Sequence, residues 1–255
     1  MVGHVDAPLD GGLTVRVLEV WRYPVKSLQG ELLQAAEIGT EGIVCDRQWA
    51  LFDLDTGFGL TARRVPDLLF ASGRLKPDGG VEVVLPDGTV TDDDGVLSDW
   101  LGRRVELRQA AASADHAEGP TYESPVDDEA PDRDDWELWQ GAPGPFHDSP
   151  RIRLSLVSTG TLGSWDRRRF RANVLLEGAG EEGWEGQEAT LGGVRLRFGR
   201  PIARCVMTTR PQPGGIARNT SVLKTIHRER AGLLAVRAAV LAPGTVRVGD
   251  ELAAA

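Results

Sequence analysis

The hydrophobic positions of this chain fall in short runs that alternate loosely with polar ones, the period of strands rather than helices. "LTVRVLEVWR" near the start reads this way, and "GIVCDRQWALFDLD" is rich in β-forming residues. "TGFG", Thr56 to Gly59, is a turn before "LTA". "VEVVLPDGTVT" sets Pro86-Asp87-Gly88 between two strands and predicts a hairpin. "DDDGVLSDWLG" predicts one short helix with an aspartate cap and Gly102 at its end, after which "RRVELRQA" returns to strand. Later, "RIRLSLVS", "FRANVLLEG", "GVRLRFGRP" and "ARCVMTT" read as strands, and "TGTLGSWDRR" as a helix start. "NTSVLKTIHRERAG" is the best helix, capped by Asn219 or Ser221 with Gly232 beyond its end, and "PGTVRVGDEL" closes with a turn and a strand. Many short strands with close turns and few helices predict a mainly β protein built from barrels, not a doubly wound sheet. No internal repeat is present.

Composition narrows the class. At 255 residues, with 41% hydrophobic and 26% charged, the chain has the size for one large globular domain or two modest ones. No apolar run approaches the ~20 residues that span a bilayer, so no membrane partner is expected. "MVGHVDAPLDGG" has neither the basic nor the apolar region of a signal peptide. Cys45 and Cys205 are the only two cysteines, without CxxC or Cys/His zinc spacing, which suits a reducing cytoplasm. The net charge of −9 is localised: from Ser113 to Gln140 there are ten acids and one base, Arg133, and the remainder balances. Nucleic acid is an unsuitable partner for such a chain, since phosphate binding needs a net basic face. The stretch from about Ala110 to Pro145 reads as a solvated linker or insertion, with a docking surface for a basic partner as the sharper alternative.

Several motifs fail on context. "GAGEEG", Gly178 to Gly183, matches a dinucleotide loop, but Glu181 and Glu182 would face the phosphate and no helix follows, so it reads as a surface turn. There is no P-loop and no G-x-S-x-G. The histidines, His4, His116, His147 and His227, form no metal-ligand pair. His147 and Asp148, adjacent in an extended segment, would point to opposite faces, which weakens a hydrolase reading.

What survives is a set of cations around one thiol. "GRPIARCVMTTRPQPGG" sets Cys205 among Arg200, Arg204 and Arg210. A thiol near fixed positive charge ionises more readily, and the thiolate is both nucleophile and soft-metal ligand. "YPVKSLQG" puts Lys26 and Ser27 just after a strand, "LTARR" does so for Arg63 and Arg64, and "RRRFRANV" adds Arg169, Arg171 and Asn173 at a strand edge. Together they provide a phosphate clamp, polar groups for a heterocycle and one soft thiolate, the combination that a pterin dithiolene phosphate carrying molybdenum requires.

"YPVKSLQG", "CDRQWALFD", "LTARRVP", "RRFRANVLLEG", "WEGQEATLGGVRLR", "RCVMTT" and "PGTVRVGD" occur in the order seen in MOSC-domain proteins, homologues of the molybdenum cofactor sulfurase C-terminus. The chain most resembles the mitochondrial amidoxime-reducing component and its bacterial relatives, from about Leu13 to Leu252. The resemblance implies a MOSC-associated β-barrel over 13–110, the acidic connecting segment over 111–145, and a MOSC β-barrel over 146–255. It implies Cys205 as molybdenum ligand, and Lys26, Ser27 and Arg63 as contacts of the molybdenum cofactor and its phosphate. Asp148 and Ser149 of "HDSP" fall at a cofactor-contacting loop; Arg171 and Asn173 match the family's F-R-P-N, with Ala172 where proline is usual. Thr208 is a further cofactor contact, and Thr208 and Thr209 would support Cys205 from behind, while Cys45 reads as structural.

The activity implied is molybdenum-dependent reduction of N-hydroxylated compounds such as amidoximes, hydroxylamines and N-oxides. Two cysteines cannot hold an iron–sulfur cluster, which needs about four thiolates, so electrons would come from a separate donor protein of ferredoxin or flavoprotein type. Two alternatives stay open: a sulfur carrier using a Cys205 persulfide, and a carrier of the cofactor without turnover.

Overall fold

The computed structural model describes residues 15–111, 118–128 and 135–254. Part of the acidic run, with Asp115, Glu129, Asp132, Arg133 and Asp134, lies outside the described residues, as do the first fourteen residues and His116.

The dominant feature is a closed barrel. Its seven strands run in the order Val174–Leu176, Leu154–Ser158, Leu233–Ala242, Val194–Ala203, Glu188–Leu191, Glu251–Ala254 and Val15–Arg22, and the last pairs back onto the first. Closure is antiparallel, with Val17 opposite Leu176 and Val20 opposite Val174. Only Leu154–Ser158 and Val174–Leu176 run parallel among these neighbours. Alternation builds the core: Val194, Leu196 and Phe198 point inward along one strand and join Val17, Val20, Leu156, Leu176 and Val236. The helix Ser221–Arg230 lays Val222 and Ile226 on the outside of the barrel against Val157, Phe170 and Leu234.

A second core is built from the N-terminal half, where Val25, Leu28, Leu51, Leu68, Val83, Leu97 and Val105 meet. The Pro86-Asp87-Gly88 hairpin forms as expected, with Val84 opposite Val90 and Gly88 at φ +90°. So does the helix Asp94–Leu101: Asp93 accepts from Val96 N at 3.0 Å, and Gly102 is left-handed at φ +62°.

The strand Val15–Arg22, read by sequence as part of the N-terminal unit, also completes the C-terminal barrel, where Val17 and Val20 join the core. Two expectations change. The segment read as a linker contains a hairpin, Thr121–Pro125 paired with Trp136–Gln140, with Tyr122 opposite Trp139. The "GAGEEG" turn is not a plain surface loop: Glu181 is fully buried and accepts from Ser158 N at 2.9 Å. Smaller differences concern helix ends. "TGTLGSWDRR" gives only the short helix Thr159–Leu162, stopped by Gly163. The helix Ser221–Arg230 ends on a left-handed Ala231, with Gly232 following.

Candidate functional site

A cleft of about 200 Å³ lies between the barrel and the N-terminal core. Among the described residues six cations line it (Lys26, Arg47, Arg63, Arg169, Arg171 and Arg204), against the single carboxylate of Asp148. Ser27, His147, Ser155, Asn173, Cys205 and Thr208 complete its polar lining. Of the residues singled out by sequence, the cleft therefore collects Lys26, Ser27, Arg63, Asp148, Arg171, Asn173, Cys205 and Thr208. Ser149 is not on its wall; its hydroxyl accepts from Arg151 N at 3.3 Å.

Each cation is held by a specific device. Lys26 is buried, donates to Phe146 O at 3.0 Å, and pairs with Asp148. Arg63 pairs with the other Asp148 oxygen at 2.8 Å and reaches the Cys205 sulfur. Ser27, at φ +68°, accepts from Ala62 N at 3.0 Å and so ties the Lys26 loop to the Arg63 loop. Arg171, also left-handed at φ +53°, donates to Leu28 O at 2.5 Å and stacks on Tyr23. Such a backbone in a non-glycine residue is strained and persists where the surroundings hold it. The Arg47 guanidinium also lies over the Tyr23 ring, 5.0 Å from its centre.

Cys205 stands two residues past the strand Val194–Ala203 and opens a tight turn, Val206–Thr209, so the stretch "ARCVMTT" is not the strand its sequence suggested. Thr208 N and Oγ1 both donate to Cys205 O, at 3.1 and 3.0 Å, and Thr209 Oγ1 donates to Val206 O at 2.8 Å. Arg169 holds the same turn through Thr208 O and Arg210 O. Arg204 faces the opposite way along the chain, donating to Leu234 O at 2.8 Å and Phe170 O at 3.1 Å. Cys45 is not on a strand; it stands at φ +63° in the turn before Trp49–Asp53 and packs on the N-terminal core.

Burial shapes the charges. Desolvation lowers Lys26 below the usual lysine value, with Asp148 opposing it. The same loss of water brings Arg171 and Arg204 down to about 10, which leaves both charged at neutral pH. Desolvation acts against Asp148 ionising, yet Lys26 and Arg63 outweigh it and hold its carboxyl well below the carboxylate range. Its side chain keeps 45% of its surface open to the cleft. His147 also lines the cleft, and burial, aided by Arg47, Arg153 and Lys26, keeps it neutral. The expectation that His147 and Asp148 face apart is thus not met: both reach the same cleft.

Depressing His147 has a measurable consequence. The unfolded chain takes up this proton near pH 6.5 while the folded chain does not, so stability is lost as pH falls below that point. We expect stability to drop by up to about 1.4 kcal/mol per pH unit from this one group. Glu182, raised chiefly by burial, acts in the opposite sense at lower pH. Urea denaturation between pH 7 and 5 should show a shallower slope for His147→Gln than for the wild type; equal slopes would refute the assignment.

Sequence reasoning missed Asp46, Arg47, Ser155 and His147 as parts of the site. Asp46 is buried, accepts from Tyr23 N at 2.7 Å and from Asn173 Nδ2 at 3.0 Å, and pairs with Arg47. Asn173 Oδ1 accepts from Ser155 N and Oγ, so the Asn173 amide is engaged by protein on both sides. It orders the cleft wall. The signal for Asp46 and Arg47 was present as a charged pair, "CDRQW", inside an otherwise apolar run.

Two family models match the chain: the MOSC N-terminal beta barrel domain over residues 14–120 and the MOSC domain over residues 148–253. Among solved structures, the YuaD protein from Bacillus subtilis is 12% identical, covers 94% of each chain and has a TM-score of 0.43. YiiM from Geobacillus stearothermophilus is 14% identical, covering 47% of this chain and 67% of its own, with a TM-score of 0.33. No curated protein matches.

Proposed function

Because the chain belongs to the MOSC family, with the MOSC N-terminal β-barrel and MOSC domains in tandem, we propose that it binds the molybdenum cofactor at Cys205 and reduces N-hydroxylated compounds. The observation that carries the reading is a shortage of acceptors. Three buried guanidinium atoms on the cleft wall, Arg63 Nε, Arg171 Nη2 and Arg204 Nη2, have no hydrogen-bond partner among the described residues. Buried donors left unpaired are costly, about 1–3 kcal/mol each, and an anionic ligand rich in oxygens would satisfy them. A pterin phosphate has that chemistry, so the donor set fits the group.

In this reading Lys26, Arg63 and Arg171 hold the phosphate, the Ser27 hydroxyl retains a free O–H to donate, and Cys205 supplies the metal's protein thiolate. Asp148 and Thr208 are carried with them as cofactor contacts. When bound, the molybdenum–pterin group would supply two-electron removal of oxygen from an N–O bond. No three His, Cys, Asp or Glu side chains converge elsewhere among the described residues, so the organic group would bring the metal's other ligands.

The chain's own part is orientation. Thr208 and Arg169 fix the backbone that carries Cys205, so the sulfur meets its ligand without rearrangement. Arg63, paired with Asp148 at 2.8 Å, keeps its positive charge on the same cleft wall as the sulfur. His147, neutral and with Nε2 unpartnered, offers one hydrogen-bonding nitrogen near Asp148 for the proton traffic of the reaction. Electrons reach the site from a separate donor protein. No helix among the described residues is long and apolar enough to cross a membrane.

The test is molybdenum and pterin content after expression in a pterin-making host, followed by turnover of an aromatic amidoxime with an artificial reductant. Near-stoichiometric molybdenum with turnover is the expected outcome. Metal and pterin without turnover on any N-hydroxylated compound would leave a cofactor carrier; neither metal nor pterin would point to persulfide chemistry at Cys205.

A further inference from the structure

Between the two family matches, at residues 121–147, lies chain that neither model accounts for. Its hairpin, Thr121–Pro125 with Trp136–Gln140, is seated firmly beside the cleft. Gly59 N donates to Thr121 O at 2.9 Å, and Arg64 pairs with Glu123 and stacks on Trp136 at 4.4 Å. The Tyr122 ring fills a slot that only glycine can form: a Cβ on Gly59 or Gly141 would fall 2.3 or 2.5 Å from it. Tyr122 is wholly buried and packs on Trp139 at 4.8 Å. This is a docked element.

Its contacts fall on the residues the cofactor reading needs. Lys26 Nζ lies 4.6 Å from the Tyr122 ring and 5.7 Å from Trp139, and the Arg63 guanidinium lies 5.0 Å from Trp139. The aromatic pair therefore lies against both cations that the cofactor reading assigns to the phosphate. Beyond the first strand, Asp128 Oδ1 accepts from Val206 N at 3.0 Å, one residue past Cys205. Its charge also acts on Arg63. One short hairpin thus touches the anion clamp and the cysteine turn together.

We propose that this hairpin is a positioning element of the site: Tyr122 and Trp139 hold Lys26 and Arg63 in their binding geometry, and Asp128 holds the turn that presents Cys205. The inference rests on the cofactor reading for its purpose, but its physical claims concern the chain alone. A carboxylate accepting from a backbone N–H makes a strong, directional tie. Faces of aromatic rings attract cations and restrict where they sit. Together they preorganise a site that would otherwise be loops and long flexible side chains.

The test uses cofactor-free full-length protein first. Amide hydrogen exchange at Val206 should quicken by roughly tenfold or more in Asp128→Ala, the loss of one charge-assisted bond. Asp128→Asn, which keeps an acceptor oxygen, should restore most of the protection, and barrel amides such as Leu196 and Phe198 should not change. Affinity for inorganic phosphate, measured by calorimetry, should fall about threefold or more in Trp139→Leu, the size of a lost cation–π contact. In loaded enzyme, Asp128→Ala should lower kcat while leaving KM for the amidoxime nearly unchanged. Wild-type exchange at Val206 in Asp128→Ala, together with wild-type phosphate affinity in Trp139→Leu, would overturn the proposal. If the wild type never loads molybdenum, the cofactor reading fails alone, and exchange and phosphate binding still decide the hairpin's role.

Discussion

Cys205→Ala is expected to abolish molybdenum binding and lower turnover by more than about 100-fold, beyond the 10–100-fold typical of groups that only support a metal ligand. Fold should survive. Cys205 is half-buried, and the bonds that shape its turn come from its backbone oxygen, which alanine keeps. Stability should therefore move by less than about 1 kcal/mol. Pterin should be partly retained, because Lys26, Arg63 and Arg171 are untouched. Metal analysis beside urea denaturation separates these effects. Full molybdenum in the alanine variant would remove Cys205 from the metal, and global unfolding would make the loss uninformative about ligation and contradict the stability estimate.

The second large effect is on the frame. Asp46→Ala should destabilise the protein by about 3–5 kcal/mol, the penalty for breaking a buried pair by removing one partner. Its side chain is wholly inaccessible and is shared by Tyr23 N, Asn173 Nδ2 and Arg47. Removing it costs Arg47 its ion pair beside Tyr23 and Asn173 one of its partners, so the cleft wall should loosen with the loss of stability. Asp46→Asn keeps one acceptor for Tyr23 N but turns an amide toward other donors, and should cost about 1–3 kcal/mol. Denaturant titration measures both. A loss below 1 kcal/mol for the alanine variant would mean that solvent reaches the pair.

How much of this was legible beforehand follows from distance along the chain. The helix at Asp94–Leu101 and the turn at Gly88 are local devices, written within a few residues, and both were readable. Lys26, Arg63 and Cys205 were readable through the motifs around them, although nothing in spacing alone brings three such distant segments to one cleft. That the strand Val15–Arg22 also closes the C-terminal barrel was not readable, because those pairing partners lie some 160 and 235 residues away, in Val174–Leu176 and Glu251–Ala254. The hairpin was hidden by its composition: acids dominate the segment, and its aromatic residues look exposed until Lys26 and Gly59 supply the surface that buries them. Asn173 lines the cleft, and its side chain also ties Ser155, Trp21 and Asp46 together, partners that no local pattern could reveal.

Barrel closure also governs when the protein can assemble. One seam joins the first described strand, Val15–Arg22, to the last, Glu251–Ala254, with Val15 opposite Leu252. On the ribosome the N-terminal core has all its strands early, but Val17 and Val20 must wait, uncovered, until Val174–Leu176 and then Glu251–Ala254 have emerged. Such long-range pairing slows folding and lengthens the time in which apolar edges can meet other chains. Any ligand that needs the closed barrel must therefore arrive after Glu251–Ala254 has been made, and separate expression of the two halves would produce a C-terminal fragment with an open, sticky edge in place of a barrel.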